Sequence, residues 1–145
     1  MVMAEIFHLK VVTPTRTAFD DSVEMVDLPG VMGKIAFLKD HMPYITAVRD
    51  GWMMVRTQHG DKVALVFDGF ARLVRNEMVL TASHFEWAED IDQKRAEEQL
   101  RTAERLMEEA EGKHKVRLAE LELRRANVRM EVSTYSILRG RVSND

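Results

Sequence analysis

The sequence predicts an α+β protein: an N-terminal antiparallel β-sandwich, or flattened barrel, over residues 1–86, then an antiparallel α-helical hairpin over 87–133 and a tail at 134–145. Three observations predict it. All three prolines (Pro14, Pro29, Pro43) and five of the seven glycines precede Trp87, and these residues punctuate sheets. Trp87 to Glu111 and Lys113 to Val132 contain neither, and are rich in Ala, Glu, Leu, Arg and Lys, which are strong helix formers. Finally, the apolar residues of the first region form short alternating or β-branched runs, whereas those of the second recur every three to five positions.

The strands follow in order. Ile6, Leu9, Val11 and Val12 close on Pro14, and Val23, Met25, Val26 and Leu28 close on Pro29-Gly30. Asp50-Gly51 separates Ile45–Val48 from Trp52–Val55, the spacing of a two-residue hairpin in which Asp-Gly supplies the positive φ. His59-Gly60-Asp61 divides that run from Val63–Phe67. Asp68-Gly69 leads into Phe70–Val74, and Arg75-Asn76-Glu77 turns into Met78–Ala82. Some eight to ten strands in so short a region fit a compact sandwich.

In the second region Ile91, Ala96, Leu100, Ala103, Leu106 or Met107, and Ala110 form one apolar stripe. Asp90 with Gln93 reads as an N-terminal capping box, and Gly112 as the left-handed residue that ends the helix. Val116, Leu118, Leu121, Leu123, Ala126 and Val128 mark a second helix. Residues 89–111 carry nine acids and four bases, and residues 113–131 three acids and six bases, so the two rods attract. Exposed ion pairs are worth only ~0–1 kcal/mol each, so packing of the Ala-rich stripe must supply most of the docking. Such a hairpin is expected to open and extend.

Composition excludes several classes. There is no cysteine, hence no disulfide framework, thiolate zinc site or cysteine nucleophile. A net charge of −3 gives no general attraction to nucleic acid. No apolar run reaches the ~20 residues of a membrane span, and Met1–Pro14 reads as a strand and not as a signal peptide. A soluble or peripheral protein is expected.

To about Ser133 the chain resembles the epsilon subunit of bacterial F-type ATP synthases. The resemblance lies in Val11-Val12-Thr13-Pro14, Val26-Asp27-Leu28-Pro29-Gly30, Gly33 through His41-Met42-Pro43, Phe67-Asp68-Gly69-Phe70 and Ile91-Asp92-Gln93-Lys94-Arg95-Ala96. It implies a non-catalytic rotor subunit, peripheral at the cytoplasmic face of the bacterial plasma membrane, with no required cofactor. Its sandwich would grip the gamma subunit and sit on the membrane rotor ring of c subunits. Its helices would fold down, or extend toward the alpha and beta subunits of the catalytic head and block ATP hydrolysis. Two departures stand out. The family often has Leu-Pro-Gly-His where this chain has Leu38-Lys39-Asp40-His41, and Lys34 replaces an acid that faces the ring in some members.

The same resemblance assigns candidate sites. Asp92 and Arg95 match the signature with which some members bind ATP as a regulatory ligand, and Glu86 falls at a matching position. Arg125 and Arg129, four apart on the second helix, would share a face with them, so that three guanidiniums converge on a triphosphate. The competing reading makes Asp92 and Arg95 an ordinary surface pair near a helix start. A further arginine of the ATP-binding members falls on Thr102. Gly30, Gly33, Lys34, His41 and Pro43 are the expected contacts with the ring or gamma; the alternative for His41 is a turn histidine capping its own backbone. Arg117, Arg124 and Arg125 are the expected contacts of the extended helix with the head, against a solvated helix surface.

Two rival readings meet parts of this sequence. An enzyme would need Asp68, His41 and His84 as an acid–base set, but no nucleophile motif or phosphate loop accompanies them. A free-standing nucleotide-sensing adaptor would keep the architecture without the rotor. His8, His59, His84 and His114 lack metal-ligand spacing.

Overall fold

The computed structural model describes residues 5–142, with side chains from Glu5 to Tyr135. The chain divides into two compact units, Met1–Trp87 and Ala88–Asp145.

The first unit holds ten strands: β1 (Phe7–Val12), β2 (Thr17–Val23), β3 (Met25–Gly30), β4 (Gly33–Phe37), β5 (Tyr44–Val48), β6 (Gly51–Thr57), β7 (Gly60–Phe67), β8 (Gly69–Val74), β9 (Glu77–Thr81) and β10 (His84–Trp87). They pair in the order β10-β7-β6-β3-β5-β8-β9-β1-β2, with β4 also on β3. β3 meets β5 through the single pair Gly30 and Val48, and β2, at the far end of the order, lies against β6. The ribbon therefore bends over on itself into a flattened barrel. Period-two alternation aims one face of nearly every strand inward. Leu9, Val11, Val26, Leu28, Met53, Val55, Val66 and Leu80 are wholly excluded from water in one core, to which Phe37, Leu73 and Met78 also belong.

Pairing differs from the sequence reading in two respects. β1 runs parallel to β9, from His8 opposite Glu77 to Val12 opposite Thr81. The two are joined only through the rest of the unit, so no tight turn forces them antiparallel. Asp50-Gly51 is not a hairpin, because β5 pairs with β8 and β6 with β7 and β3. It is a corner where the chain crosses between the halves of the sandwich, and neither of its residues has a positive φ. Asp50 Oδ1 there accepts the Asp68 N–H at 2.8 Å. Asp68, at φ 49°, turns the second corner, from β7 into β8. Gly69 is required at that corner: a Cβ on it would stand 2.9 Å from Val48 Cβ. β6–β7 and β8–β9 are true hairpins, with Thr57 opposite Gly60 and Val74 opposite Glu77.

The second unit begins with a 3₁₀ turn, Ala88–Asp90, followed by α1 (Gln93–Glu109) and α2 (Lys113–Val142), which pack against each other. Asp92, not Asp90, caps α1: its Oδ1 accepts the Arg95 N–H at 3.3 Å, and its carbonyl takes the first helical bond, from Ala96 N–H at 2.9 Å. Asp90 is occupied in the preceding turn. Gly112 does not close α1, which ends through an extended Ala110. With φ 84°, Gly112 instead opens α2, its carbonyl accepting the Val116 N–H at 3.0 Å. α2 also runs past Val132, and Gly140 does not stop it. Residues 143–145 lie outside the described residues.

Candidate functional site

In the second unit a cleft of about 380 Å³ lies between α1 and α2. α1 contributes Arg95, Glu98, Gln99, Thr102, Ala103 and Leu106, and α2 contributes Glu122, Ala126 and Arg129. Helical periodicity explains both sets: steps of three, four and seven residues keep one face aligned. Ala103 and Ala126 are buried, and as small residues they leave the floor open where two leucines would fill it. Around this floor stand two guanidiniums, two carboxylates, a carboxamide and a hydroxyl, with formal charges that cancel. Such a rim offers cations to phosphate oxygens and acceptors to amino or hydroxyl donors.

Of the expected nucleotide set, the fold brings Arg95 and Arg129 to this cleft. Arg95 is exposed and Arg129 half-buried. Asp92 sits at the base of α1, where its carboxylate caps the helix and does not line the cleft. Arg125, one turn before Arg129, is half-buried and is not among the lining residues. Two of the three expected arginines therefore line the cleft. Glu86 belongs to the other unit, in β10 opposite Leu65. Glu98, Gln99 and Glu122 were missed, although Glu98 and Gln99 stand three and four residues after Arg95 and could have been read from that spacing. Thr102 also lines the cleft, giving a hydroxyl at the position where the resemblance implies a further arginine.

In the first unit, Gly30 and Gly33 pair across the β3–β4 turn, whose tip is Val31-Met32. Gly33 has φ 120°, and a Cβ on Gly30 would meet the Gly33 carbonyl oxygen at 2.9 Å, so the sharp tip needs both. Met32 is 91% exposed. The Lys34 ammonium lies over the Trp52 ring, a cation–π contact that steadies it on the sheet surface. His41 and Pro43 belong to the loop at the other end of β4. The residues expected to meet the ring or gamma thus fall at the two ends of β4, with Lys34 within it. His41 Nδ1–H donates to the Met42 carbonyl at 2.7 Å, and its ring packs edge-on to Phe37 at 4.9 Å between centroids. Beside it, Leu38, Met42, Tyr44, Ile45, Phe70 and Val79 expose apolar surface. Ile45, Arg72 and Val79 lie in one row across β5, β8 and β9, and Phe70 is on the same face.

On α2, Arg117 and Arg124 are exposed, seven residues apart on one face, with exposed Leu118 adjacent. Two members of the imagined acid–base set are engaged by other groups. Asp68 Oδ2 accepts from the Ser83 hydroxyl at 3.1 Å, while His41 is held by Met42. Among the described residues no three His, Cys, Asp or Glu side chains could hold a metal, and no helix is long and apolar enough to cross a membrane.

Comparison with known proteins bears on both units. The family described as ATP synthase, Delta/Epsilon chain, beta-sandwich domain, matches residues 6–88, and the long alpha-helix domain of the same chain type matches residues 89–134. The chain is 37% identical over 133 residues to the chloroplastic ATP synthase epsilon chain of Medicago sativa, covering 91% of this chain and 97% of that one. It is 35% identical to the counterpart in Pisum sativum, covering 92% and 97%. Among solved structures, a chain of the Euglena gracilis mitochondrial ATP synthase (OSCP/F1/c-ring) superposes with a TM-score of 0.76 at 15% identity, over 92% of this chain and 84% of that one. A chain of the Tetrahymena thermophila mitochondrial ATP synthase central stalk and c-ring gives 0.64 at 8% identity, over 87% and 95%. At these identities the solved structures speak to the fold alone.

Proposed function

The chain belongs to the ATP synthase delta/epsilon family, as a non-catalytic epsilon-type subunit of the F-type central stalk, and from that premise we propose that it couples the gamma subunit to the membrane rotor ring while its helices restrain ATP hydrolysis. The observation that carries the coupling role is the pair of exposed apolar surfaces that flank β4 on one close-packed sandwich. The Val31-Met32 tip, small and sharp, suits the ring. The broader surface running from Leu38 and Met42 to Ile45, Phe70 and Val79 suits the gamma shaft, since a grip that transmits torque needs area. A dense core between them makes the mount stiff.

Restraint of hydrolysis is assigned to the helices. Arg117, Arg124 and Arg125 would meet acidic surface on the alpha and beta subunits when the hairpin extends. The cleft supplies the switch: ATP bound there favours the folded hairpin, with Arg95 and Arg129 on the phosphates and Gln99 and Thr102 toward amino and hydroxyl groups. A volume of about 380 Å³ is in the range of small-molecule sites. A ligand shifts such an equilibrium only by its differential affinity for the two forms, so a cleft that needs both helices side by side is well suited to it. The subunit would be peripheral, at whichever membrane carries the synthase.

Removal of residues 88–145 tests the assignment. Assembly with gamma and the ring is expected to persist while ATP hydrolysis by the complex rises several-fold. Unchanged hydrolysis would remove the inhibitory role; lost assembly would move the coupling surface out of the sandwich.

A further inference from the structure

Two turns with ill-suited residues meet at one side-chain pair. The turn Leu38–His41 is closed by the His41 N–H on the Leu38 carbonyl at 3.2 Å, with Asp40 at φ 65°. A turn whose third residue alone is left-handed is type II and favours Pro-Gly at its centre; this chain has Lys39-Asp40. In the β8–β9 turn Arg75 and Asn76 have φ 51° and 63°, the type I′ form that favours Asn-Gly. Asp40 N–H donates to Asn76 Oδ1 at 2.7 Å, and Asn76 Nδ2 donates back to Asp40 Oδ1 at 3.0 Å. The Asn76 carbonyl meanwhile accepts the His8 N–H at 2.9 Å, which ties the clamp to β1.

Asp40 thus occupies a backbone region that glycine enters freely, and its two bonds to Asn76 offset that cost. The shape of the loop depends on a partner in a distant turn. What the clamp fixes is exposed: Leu38 is 56% and Met42 69% open to solvent, with His41 wedged against Phe37 and Tyr44 between them. We propose that Asn76 is a positioning residue, which through Asp40 holds the Leu38–Pro43 loop in the shape that meets the gamma shaft. This rests on the reading of that loop as a gamma contact.

Donor and acceptor logic gives a test that simple truncation does not. Asn76→Asp keeps the acceptor for the Asp40 N–H but sets carboxylate against carboxylate. Adding Asp40→Asn restores a side-chain donor, so that the backbone N–H of residue 40 still donates to residue 76 and the side-chain bond re-forms in the reversed sense; Asp40→Asn alone preserves both bonds. In the full chain, hydrogen exchange at residues 39–42 and capture of isolated gamma are measured for all four forms. Asn76→Asp is expected to favour opening of the loop about tenfold, speeding exchange by that factor and weakening gamma capture by up to the same factor, the limit reached when the open form predominates in the variant, since only the clamped fraction binds. The double variant should recover both, and Asp40→Asn should match the unsubstituted chain. Unchanged exchange in Asn76→Asp overturns the clamp. Faster exchange with gamma capture intact overturns the positioning role. Failure of the unsubstituted chain to capture gamma overturns the reading of the loop beneath it, a result the exchange data keep separate.

Discussion

Replacing the two arginines of the cleft, one at a time, should weaken ATP binding unequally, while neutralising its acids should strengthen it. Arg95 is exposed, so water and salt screen it and compete for its phosphate bonds; Arg129, half-buried on α2, is screened less. A charge-assisted hydrogen bond is worth ~1.5–3 kcal/mol, and the exposed arginine belongs at the low end of that range. Arg95→Ala is then expected to raise the ATP dissociation constant about tenfold, and Arg129→Ala by about 30- to 100-fold. Glu122→Gln removes a negative charge from the rim and should tighten binding about two- to threefold, with Glu98→Gln acting in the same sense. Isothermal titration of the isolated chain reads all four. Raising salt should shrink every difference, most of all that of Arg95. Equal affinities for the arginine variants and the unsubstituted chain, or weaker binding in Glu122→Gln, would refute the cleft as the nucleotide site.

Other outcomes follow from the fold. Asp92→Ala removes the cap of α1 and is expected to cost about 1 kcal/mol, whereas Asp90→Ala should be nearly silent; thermal melts followed by helical circular dichroism separate them, and the reverse order would restore the earlier cap. Gly69→Ala places a methyl against the Val48 and Val66 side chains, at 2.9 and 3.1 Å, and should destabilise the sandwich by ~1–3 kcal/mol in urea unfolding. Glycine at Gly112 should tolerate replacement less well than Gly51, because only Gly112 has a left-handed backbone, at φ 84°; a larger loss of stability for Gly51→Ala would contradict this.

Much of the architecture was legible because it is written locally. The scarcity of Pro and Gly after Trp87 and the Ala96–Ala103 spacing mark helices without reference to anything distant. The alternation in Phe7–Val12 or Gly69–Val74 marks strands in the same way. What failed was the assignment of partners and caps. Asp50-Gly51 has the composition of a hairpin turn, yet which strand lies beside β5 depends on where β8 folds, and the composition of two residues does not carry that. Gly112 has the left-handed backbone that its residue type favours, but one such residue can close one helix or open the next, and here it opens α2. Asp90 and Asp92 are both suited to capping, and the intervening 3₁₀ turn chose between them.

The candidate sites divide along the same line. Order along the chain determined that Arg95 and Arg129 sit on helices that could face each other, because side-chain direction on a helix follows from sequence spacing. Only the packed pair of helices decided that these two line a common cleft with Glu98 and Glu122, that Arg125 stands outside its lining, and that Asp92 is occupied as a cap. In the sandwich, sequence alone revealed that Leu38-Lys39-Asp40-His41 departs from Pro-Gly turn chemistry. That Asn76, far along the chain, compensates for it was decided by tertiary structure, because a hydrogen bond depends on distance in space and not on separation in sequence.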